Sequence, residues 1–364
     1  MPGHRIFRSV RPPLVRSVAL GPSAAKLPLD FFLAFTVLRR ALTGHYDAVH
    51  SHEEGAVIGV AIAAALRVPH LYDMHSSLPQ QLTNFAFSRS RVVRRIFLAM
   101  ERLMIRRSRV VIVICPTLDD TVREVDPRAH TVLIENAPGS AEGDASAEQA
   151  AAVRSRFGFA DSTPVIVYTG TFEAYQGLDL LFDAMAIVRS SRPDVRLLLA
   201  GGKEDQIARA RERVRAAGID DVVVFAGERP SAEVPAYLRA ADVLVSPRSR
   251  GTNTPLKIYQ YLRSGRPIVA TRLVTHTQVL SDDVAVLTEA SASEFARGIL
   301  KVVDDRQLAS GIGQRARDLA ATKYTYEAYL ERTRQACAAL ANVADRVDYV
   351  AAAKSPSYKY KDLV

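Results

Sequence analysis

The sequence predicts an α/β protein made of two doubly wound, parallel-sheet domains. Three observations predict it. Short apolar runs recur along the chain, each followed by a loop and a helical pattern, which is the rhythm of parallel βα units. The length of 364 residues suits two domains of ordinary size. A small, polar stretch at 138–152, PGSAEGDASAEQAAA, interrupts that rhythm near its middle and reads as a linker.

The composition, 48% hydrophobic and 24% charged, is that of a globular chain and excludes disordered or fibrous classes. Cys115 and Cys337 stand far apart without metal-ligand spacing, which predicts a reducing compartment and no disulfide framework or zinc site. The start, MPGHRIFRSV, shows no signal peptide, and the longest apolar run, 55–66, is too short to span a bilayer. A cytoplasmic protein is expected, with peripheral attachment to the inner face of a membrane as an option. The formal net charge of +9 fits a solvated basic surface, nucleic-acid binding or attraction to anionic lipid. Residues 88–110, SRSRVVRRIFLAMERLMIRRSRV, interleave arginines with apolar residues. They read either as a basic amphipathic helix on an anionic membrane or as a core-facing helix with an arginine-rich solvent side. No helix-turn-helix, zinc-finger or RNA-recognition pattern occurs, so no nucleic-acid partner is expected.

In chain order, 1–28 holds Pro, Gly and Arg with one or two strand-like runs. Residues 29–42 predict a helix, 46–50 a short buried strand, 51–54 a loop and 55–66 a Gly/Ala-rich helix. After Pro69, residues 70–74 predict a strand. Ligands of parallel sheets bind beyond the carboxyl ends of strands, and His52, Glu53 and His75 lie at such ends. Residues 110–114 predict a β-branched strand, 117–124 a helix capped by Thr117, and 131–134 a strand ending at Glu135-Asn136.

The second half opens with a strand at 165–169, the loop GTFEAYQG at 170–177, and a helix from Leu178 carrying Leu181, Ala184, Met185 and Val188 on one stripe. Gly170 and Gly177 permit close backbone approach to a phosphate. A strand at 195–200, a charged helix at 204–216, a strand at 222–225, the turn Gly227-Glu228-Arg229 and a helix at 232–240 follow. The most informative stretch is 246–271, SPRSRGTNTPLKIYQYLRSGRPIVAT. A strand at 243–245 runs into a polar loop where Gly251 can take a positive φ. Thr254 is the expected N-cap, Pro255 the first helical residue, and Gly265 the stop. Loop amides, the helix dipole and Lys257 in the first turn make an anion site, with Gln260 on the face of Lys257. A strand at 268–270, another at 285–287, helices from 293 and 305, and a long helix at 324–340 with Tyr326, Tyr329 and Leu330 on its buried face complete the chain.

GTNTPLKIYQYLRSGRPIVAT, YTGTFEAYQGLDLL and YDMHSSLPQQL together resemble family 4 glycosyltransferases over roughly residues 20–340. That resemblance implies the GT-B fold, two Rossmann-like domains facing across a cleft. It divides the chain into an amino-terminal acceptor-side domain at 1–137, the linker, a donor domain at 153–323, a helix at 324–341 returning to the first domain, and a tail at 342–364. The chain joins the family pattern late, without the usual first strand and glycine-rich loop. Either the true start lies upstream or this protein lacks that strand pair. Two family glutamates eight positions apart are replaced by Thr252 and Gln260, as in a variant subset reading TPLKIYQYL. A family arginine and lysine in the 170–177 loop are replaced by Thr171 and Gln176.

The implied reaction moves a sugar from a nucleotide diphosphate to an acceptor hydroxyl of a glycan, lipid-linked or polysaccharide precursor, with retention and without metal or other cofactor. The resemblance assigns donor binding to Gly170, Thr171, Gln176, Gly177, Arg229, Arg248, Thr252, Asn253, Thr254, Pro255 and Gln260. Lys257, with Arg248 or Arg250, would neutralise the leaving diphosphate. His75 would position the sugar, and His52 and Glu53 would lie on the acceptor side. Two other readings stay open: a non-hydrolysing sugar-nucleotide epimerase, for which Glu53, His75 and Glu173 are few acid/base candidates, and a GT-B scaffold without turnover serving as a partner subunit.

Overall fold

A computed structural model describes residues 5–10, 26–84, 90–135 and 144–341. The strand-like runs expected within 1–28 fall mostly outside these residues, as do Asn136, the first part of the linker and the tail. The chain forms two compact units, one of Met1–Glu135 with Leu330–Val364, the other of Asn136–Tyr329.

The first unit carries a parallel sheet of β1 (Val49–His52), β2 (His70–Met74), β3 (Val110–Val113) and β4 (Thr131–Leu133), in that spatial order. Helix α1 (Lys26–Thr43) precedes them, and α2 (Ala56–Leu66), α3 (Leu78–Asn84), α4 (Arg91–Arg107) and α5 (Pro116–Val125) connect them. Tyr72, Met74, Val111 and Val113 pack against Met104, Ile105, Leu118 and Val122 on one face. The strand expected at 46–50 begins three residues later, and Tyr46 is exposed. β1 alternates half-buried and exposed residues because, among the described residues, it borders β2 alone. Its His50 and His52 therefore stay accessible. Gly59 lets α2 press onto this edge, since a Cβ there would lie 2.4 Å from Ser51 Oγ. Thr117 is not a cap: Cys115 holds that position and Pro116 is the first residue of α5.

On the opposite face, Leu71, Val110, Ile112 and Ile134 receive Ala336 of α14 (Tyr326–Ala341). The buried stripe of α14 thus differs from the expected one. Tyr326 and Tyr329 are exposed and stack on each other with centroids 6.1 Å apart, while the contact with the strands uses an alanine. A small residue lets the helix axis come close to the sheet. Arg332 Nη1 of α14 donates to Glu135 Oε2 at 2.9 Å, and Glu135 is only 3% exposed.

The second unit carries six parallel strands, β5 (Val165–Thr169), β6 (Arg196–Ala200), β7 (Val223–Gly227), β8 (Val243–Ser246), β9 (Ile268–Thr271) and β10 (Val286–Thr288). Their spatial order is β10-β9-β8-β5-β6-β7. Helices α6 (Ala147–Arg156), α7 (Leu178–Ser191), α8 (Glu204–Ala216), α9 (Val234–Ala240), α10 (Leu256–Ser264), α11 (Val274–Thr277), α12 (Ala292–Asp304) and α13 (Arg306–Lys323) cover both faces. Every residue of β5 is buried, as a central parallel strand requires. Leu181, Ala184, Met185 and Val188 of α7 are buried along the predicted stripe. Residues 147–152, expected as linker, instead open α6, which a Ser146/Gln149 capping box starts. The chain reverses its direction of sheet growth between β5 and β8, which creates a topological switch point.

Loss of the Glu135–Arg332 pair leaves a buried carboxylate poorly compensated. Arg332→Ala is therefore expected to destabilise the first unit by about 1–2 kcal/mol in denaturant unfolding, whereas Arg334→Ala, on an exposed turn of the same helix, leaves stability unchanged.

Candidate functional site

Two loops leave the switch point of the second unit, 170–177 after β5 and 247–255 after β8. They meet directly. Ser249 N donates to Tyr175 O at 3.2 Å, and a Cβ on Gly177 (φ 75°) would fall 1.9 Å from Pro247 O. Only glycine fits there, for both its φ and that contact. Gly170, at φ 133°, and Gly251, at φ 119°, take the positive values that their loops demand.

The start of α10 differs from the expectation. Its N-cap is Pro255 in an extended conformation, and Leu256 is the first helical residue. Thr254 does not cap: its Oγ1 is buried and unpartnered among the described residues, as is Arg248 Nε. Arg248 Nη1 donates to Asn253 O at 2.6 Å and to Thr275 Oγ1 at 2.8 Å. Burial lowers the pKa of its guanidinium, which also lies over the Tyr175 ring.

Lys257 occupies the first turn of α10 but does not present its charge openly. The residue is 8% exposed, and its Nζ lies 3.9 Å from the Tyr168 ring centroid and 3.4 Å from Gln176 Oε1. Burial first, and then Arg248, pull its pKa well below the ordinary lysine range. One long amide contact and a ring face are a poor exchange for water around three N–H donors. An anion at this point would relieve both cations. A Cβ on Gly170 would lie 3.7 Å from Lys257 Nζ, so this glycine is part of the same locus.

Side chains from β9, from α11 and from Gln278 just after it hold the 247–255 loop from behind. Thr271 Oγ1 donates to Arg248 O at 2.7 Å, Thr275 Oγ1 to Asn253 O at 2.6 Å and Gln278 Nε2 to Thr252 O at 2.6 Å. Beneath them, His276 Nδ1 donates to Thr271 O at 2.8 Å, so its Nε2 accepts from Ser246 Oγ at 2.8 Å. Burial lowers the pKa of His276 to about 3. No periodicity or motif marks Thr271, Thr275, His276 or Gln278 in the sequence, so sequence reasoning missed them. Thr252 Oγ1 donates to Asn253 Oδ1 at 3.3 Å, and Gln260 is half-buried on α10. Arg229, expected near a nucleotide base, folds back onto Ala226 O. Glu173 is bound by Gln206 Nε2 at 2.9 Å.

In the first unit, His52 and His75 lie together at the carboxyl ends of β1 and β2, with ring centroids 4.4 Å apart. His75 Nε2 lies 3.1 Å from Asp73 Oδ1, and His50 Nε2 lies 3.7 Å from Asp73 Oδ2. Burial opposes charge on His75, but the bond to Asp73 outweighs it and raises the pKa. His52 is lowered, by burial and then by His75. Asp73 went unnoticed in the sequence, although its place two residues before His75 on a strand end was readable. Glu53 is half-buried with φ 50°, and its Oε2 accepts from Ser76 Oγ and Gln81 Nε2, each at 2.8 Å. It ties the loop after β1 to the loop carrying His75. Burial raises its pKa.

Residues 2–137 match the family model for a glycosyl transferase 4-like domain, and residues 163–305 match that for glycosyl transferases group 1. The two domains are glycosyl transferase domains. Together these domains form a GT-B protein. The chain is 27% identical over 254 residues to mannosylfructose-phosphate synthase of Agrobacterium fabrum, covering 62% of this chain and 54% of that protein. It is 25% identical over 294 residues to the α-D-kanosaminyltransferase of Streptomyces kanamyceticus, covering 77% and 74%. Against the first of these relatives the GT-B chain spans about half the relative's length. Among solved structures, Anabaena Alr3699/HepE in complex with UDP-glucose superposes with a TM-score of 0.71 at 20% identity, covering 88% of this chain and 89% of that one. The sucrose-phosphate synthase of Thermosynechococcus elongatus gives 0.72 at 20% identity, covering 88% and 80%.

The GT-B chain should lose stability in acid through His276. Its folded pKa of about 3 lies below the unfolded value of 6.5, so the unfolded state takes up a proton first as pH falls. Stability is full above pH 6.5 and declines below it. Between pH 7.5 and pH 5 the loss is about 2 kcal/mol, and denaturant unfolding of His276→Gln should show a pH slope smaller by that amount.

Proposed function

We propose that this protein is a retaining glycosyltransferase that moves a hexose from a nucleoside diphosphate to an acceptor hydroxyl without a metal ion. The observation that carries the reading is the meeting of the 170–177 and 247–255 loops around Lys257 and Arg248 at the switch point of the second unit. In this reading the diphosphate sits against Gly170, Thr171 and Gly177 and receives charge from Lys257 and Arg248. Thr254 Oγ1 and Arg248 Nε, buried and without a partner among the described residues, fit an oxyanion ligand. Gln260 accepts from a ribose hydroxyl, and Asn253, Thr252 and Pro255 shape the loop. The Arg229 turn lies by the base. His75 orients the sugar, with His52 and Glu53 on the acceptor side. The solved relative with UDP-glucose supports a uridine donor as the first to test.

Departure of the diphosphate builds negative charge, and donors already fixed in a dry site stabilise it strongly. Two family cations are replaced by Thr171 and Gln176, so Lys257 carries more of that load. Screening UDP-, GDP- and ADP-sugars for nucleoside diphosphate release should find one turned over. Lys257→Ala should lower kcat/KM for that donor by about 100-fold. Retention of most activity in Lys257→Ala refutes the assigned role. Donor binding by thermal shift without any release instead favours the scaffold reading, to which Thr171, Gln176 and Thr252 lend support.

We further infer that the acceptor is met at an anionic membrane surface. None of the described helices is long and apolar enough to cross a membrane. α4 turns Met104 and Ile105 into the core yet exposes Val92, Ile96 and Leu103 beside its arginines. α1 exposes Leu27, Phe31, Phe35 and Leu42 along one stripe, with Arg39 and Arg40 near its end. Apolar residues flanked by arginines suit the headgroup region of acidic lipid. Sedimentation with phosphatidylglycerol vesicles should exceed that with phosphatidylcholine vesicles and fall with salt. Equal sedimentation removes the membrane from the reading.

A further inference from the structure

We propose that the first unit binds a soluble small molecule bearing two or three linked phosphates, in a cavity at the amino edge of its sheet. The site is separate from the loops of the second unit and from His52 and His75. It does not rest on the donor reading.

The strands place it. β2 begins at His70, β3 at Val110 and β4 at Thr131, so Pro69, Arg109 and His130 reach the same edge of a parallel sheet. His52 and His75 lie at the opposite, carboxyl edge. A cavity of about 1040 Å³ opens at the amino edge, near the upper end of the roughly 300–1,000 Å³ of small-molecule sites. Buried Val60, Ala63 and Ile105 give it an apolar wall, and Ala339 of α14 also lines it. His70 lines it too but adds no charge. Ser108 Oγ donates to Met104 O and so accepts from His70 Nδ1, which leaves Nε2 to accept from Ser51 Oγ. Burial lowers the pKa of this ring to about 4.

Charge decides the ligand. Arg106, Arg107, Arg109 and Arg128 line the cavity together with a single carboxylate, Asp126. All four arginines are exposed, and none forms an ion pair among the described residues. The last turn of a helix favours cations, which accounts for Arg106 and Arg107 at the end of α4. It does not account for Arg109 and Arg128, which lie outside any helix. Both are held in place. Arg109 Nη1 donates to Leu340 O at 3.0 Å, and Arg128 N donates to Asp126 Oδ1 at 3.0 Å, which fixes the turn that carries Arg128. A ligand with one carboxylate would leave most of this positive charge uncompensated. Linked phosphates carry several negative charges and present the paired oxygens that guanidinium forks bind. A concave site suits a separate small molecule and not the plane of a bilayer.

The test titrates the full chain with tripolyphosphate by isothermal calorimetry and follows amide hydrogen exchange. The expected result is a site of micromolar affinity that weakens as salt rises, with exchange slowed within 126–130. Arg107→Gln combined with Arg128→Gln should weaken that site by at least about 10-fold, since each change removes a charge-assisted bond. Lys257→Ala, in the second unit, should not weaken it. Both altered arginines are exposed, and a thermal transition like that of the unaltered protein shows that the paired variant is folded. Should it unfold, the exchange pattern of the unaltered protein decides. Equal affinity in the unaltered and paired-variant proteins, or slowed exchange confined to 170–177 and 247–255, overturns the proposal. So does binding to phosphatidic acid vesicles that the paired variant loses while tripolyphosphate shows none.

Discussion

The close contact of Gly177 with Pro247 O is the constraint on which the second unit's site depends. β5 and β8 are adjacent, but their crossover connections leave toward opposite sides of the sheet. The two loops would therefore diverge. A glycine without a Cβ lets them touch, and the bond between Ser249 and Tyr175 fastens them. Once joined, they bring a lysine from α10 and an arginine from the 247–255 loop beside the Gly170 turn. Thr271, Thr275 and Gln278 bind three carbonyls of that loop from the protein side, so its shape is set before any ligand arrives.

That arrangement works against stability. Lys257 and Arg248 are both buried, and each disfavours the other's charge in a medium of low dielectric. The Tyr168 ring and a long contact to Gln176 offset only part of this. Strain and uncompensated charge of this kind mark sites whose ligand completes them. An anion placed there would supply the missing negative charge, and the same burial would strengthen its attraction to the two cations. A neutral, buried His276 beneath the loop avoids adding a third positive charge.

The first unit uses other means. Its described sheet has no switch point, and its candidate groups lie along one edge. Glu53 adopts a backbone conformation that a non-glycine residue takes only when its surroundings hold it, and the bonds from Ser76 and Gln81 do so. Asp73 holds His75 while His52 packs beside it. Three imidazoles gathered around one carboxylate are unlike the cationic locus of the second unit. They bring groups that exchange protons where the other unit brings fixed charge.

Periodicity and punctuation alone determined the strands and most of the longer helices of the second unit, because buried parallel strands are short apolar runs and glycine ends helices by a local rule. β5, α7, α8 and the stop at Gly265 were legible for that reason. Local rules failed where a neighbour overrode them. Thr254 has the right chemistry for a cap, but the extended turn at Pro255 starts the helix one residue later. Tyr326 and Tyr329 looked like a buried face, yet the sheet under α14 takes Ala336, with Ala339 and Leu340 beside it. Lys257 was readable as a cation at a helix start. Its burial against Tyr168, the clamp of Thr271, Thr275 and Gln278, and the place of Asp73 between His50 and His75 join residues distant in the chain. Such proximity arises only when strands pair and crossovers pack, so the tertiary structure alone decided it.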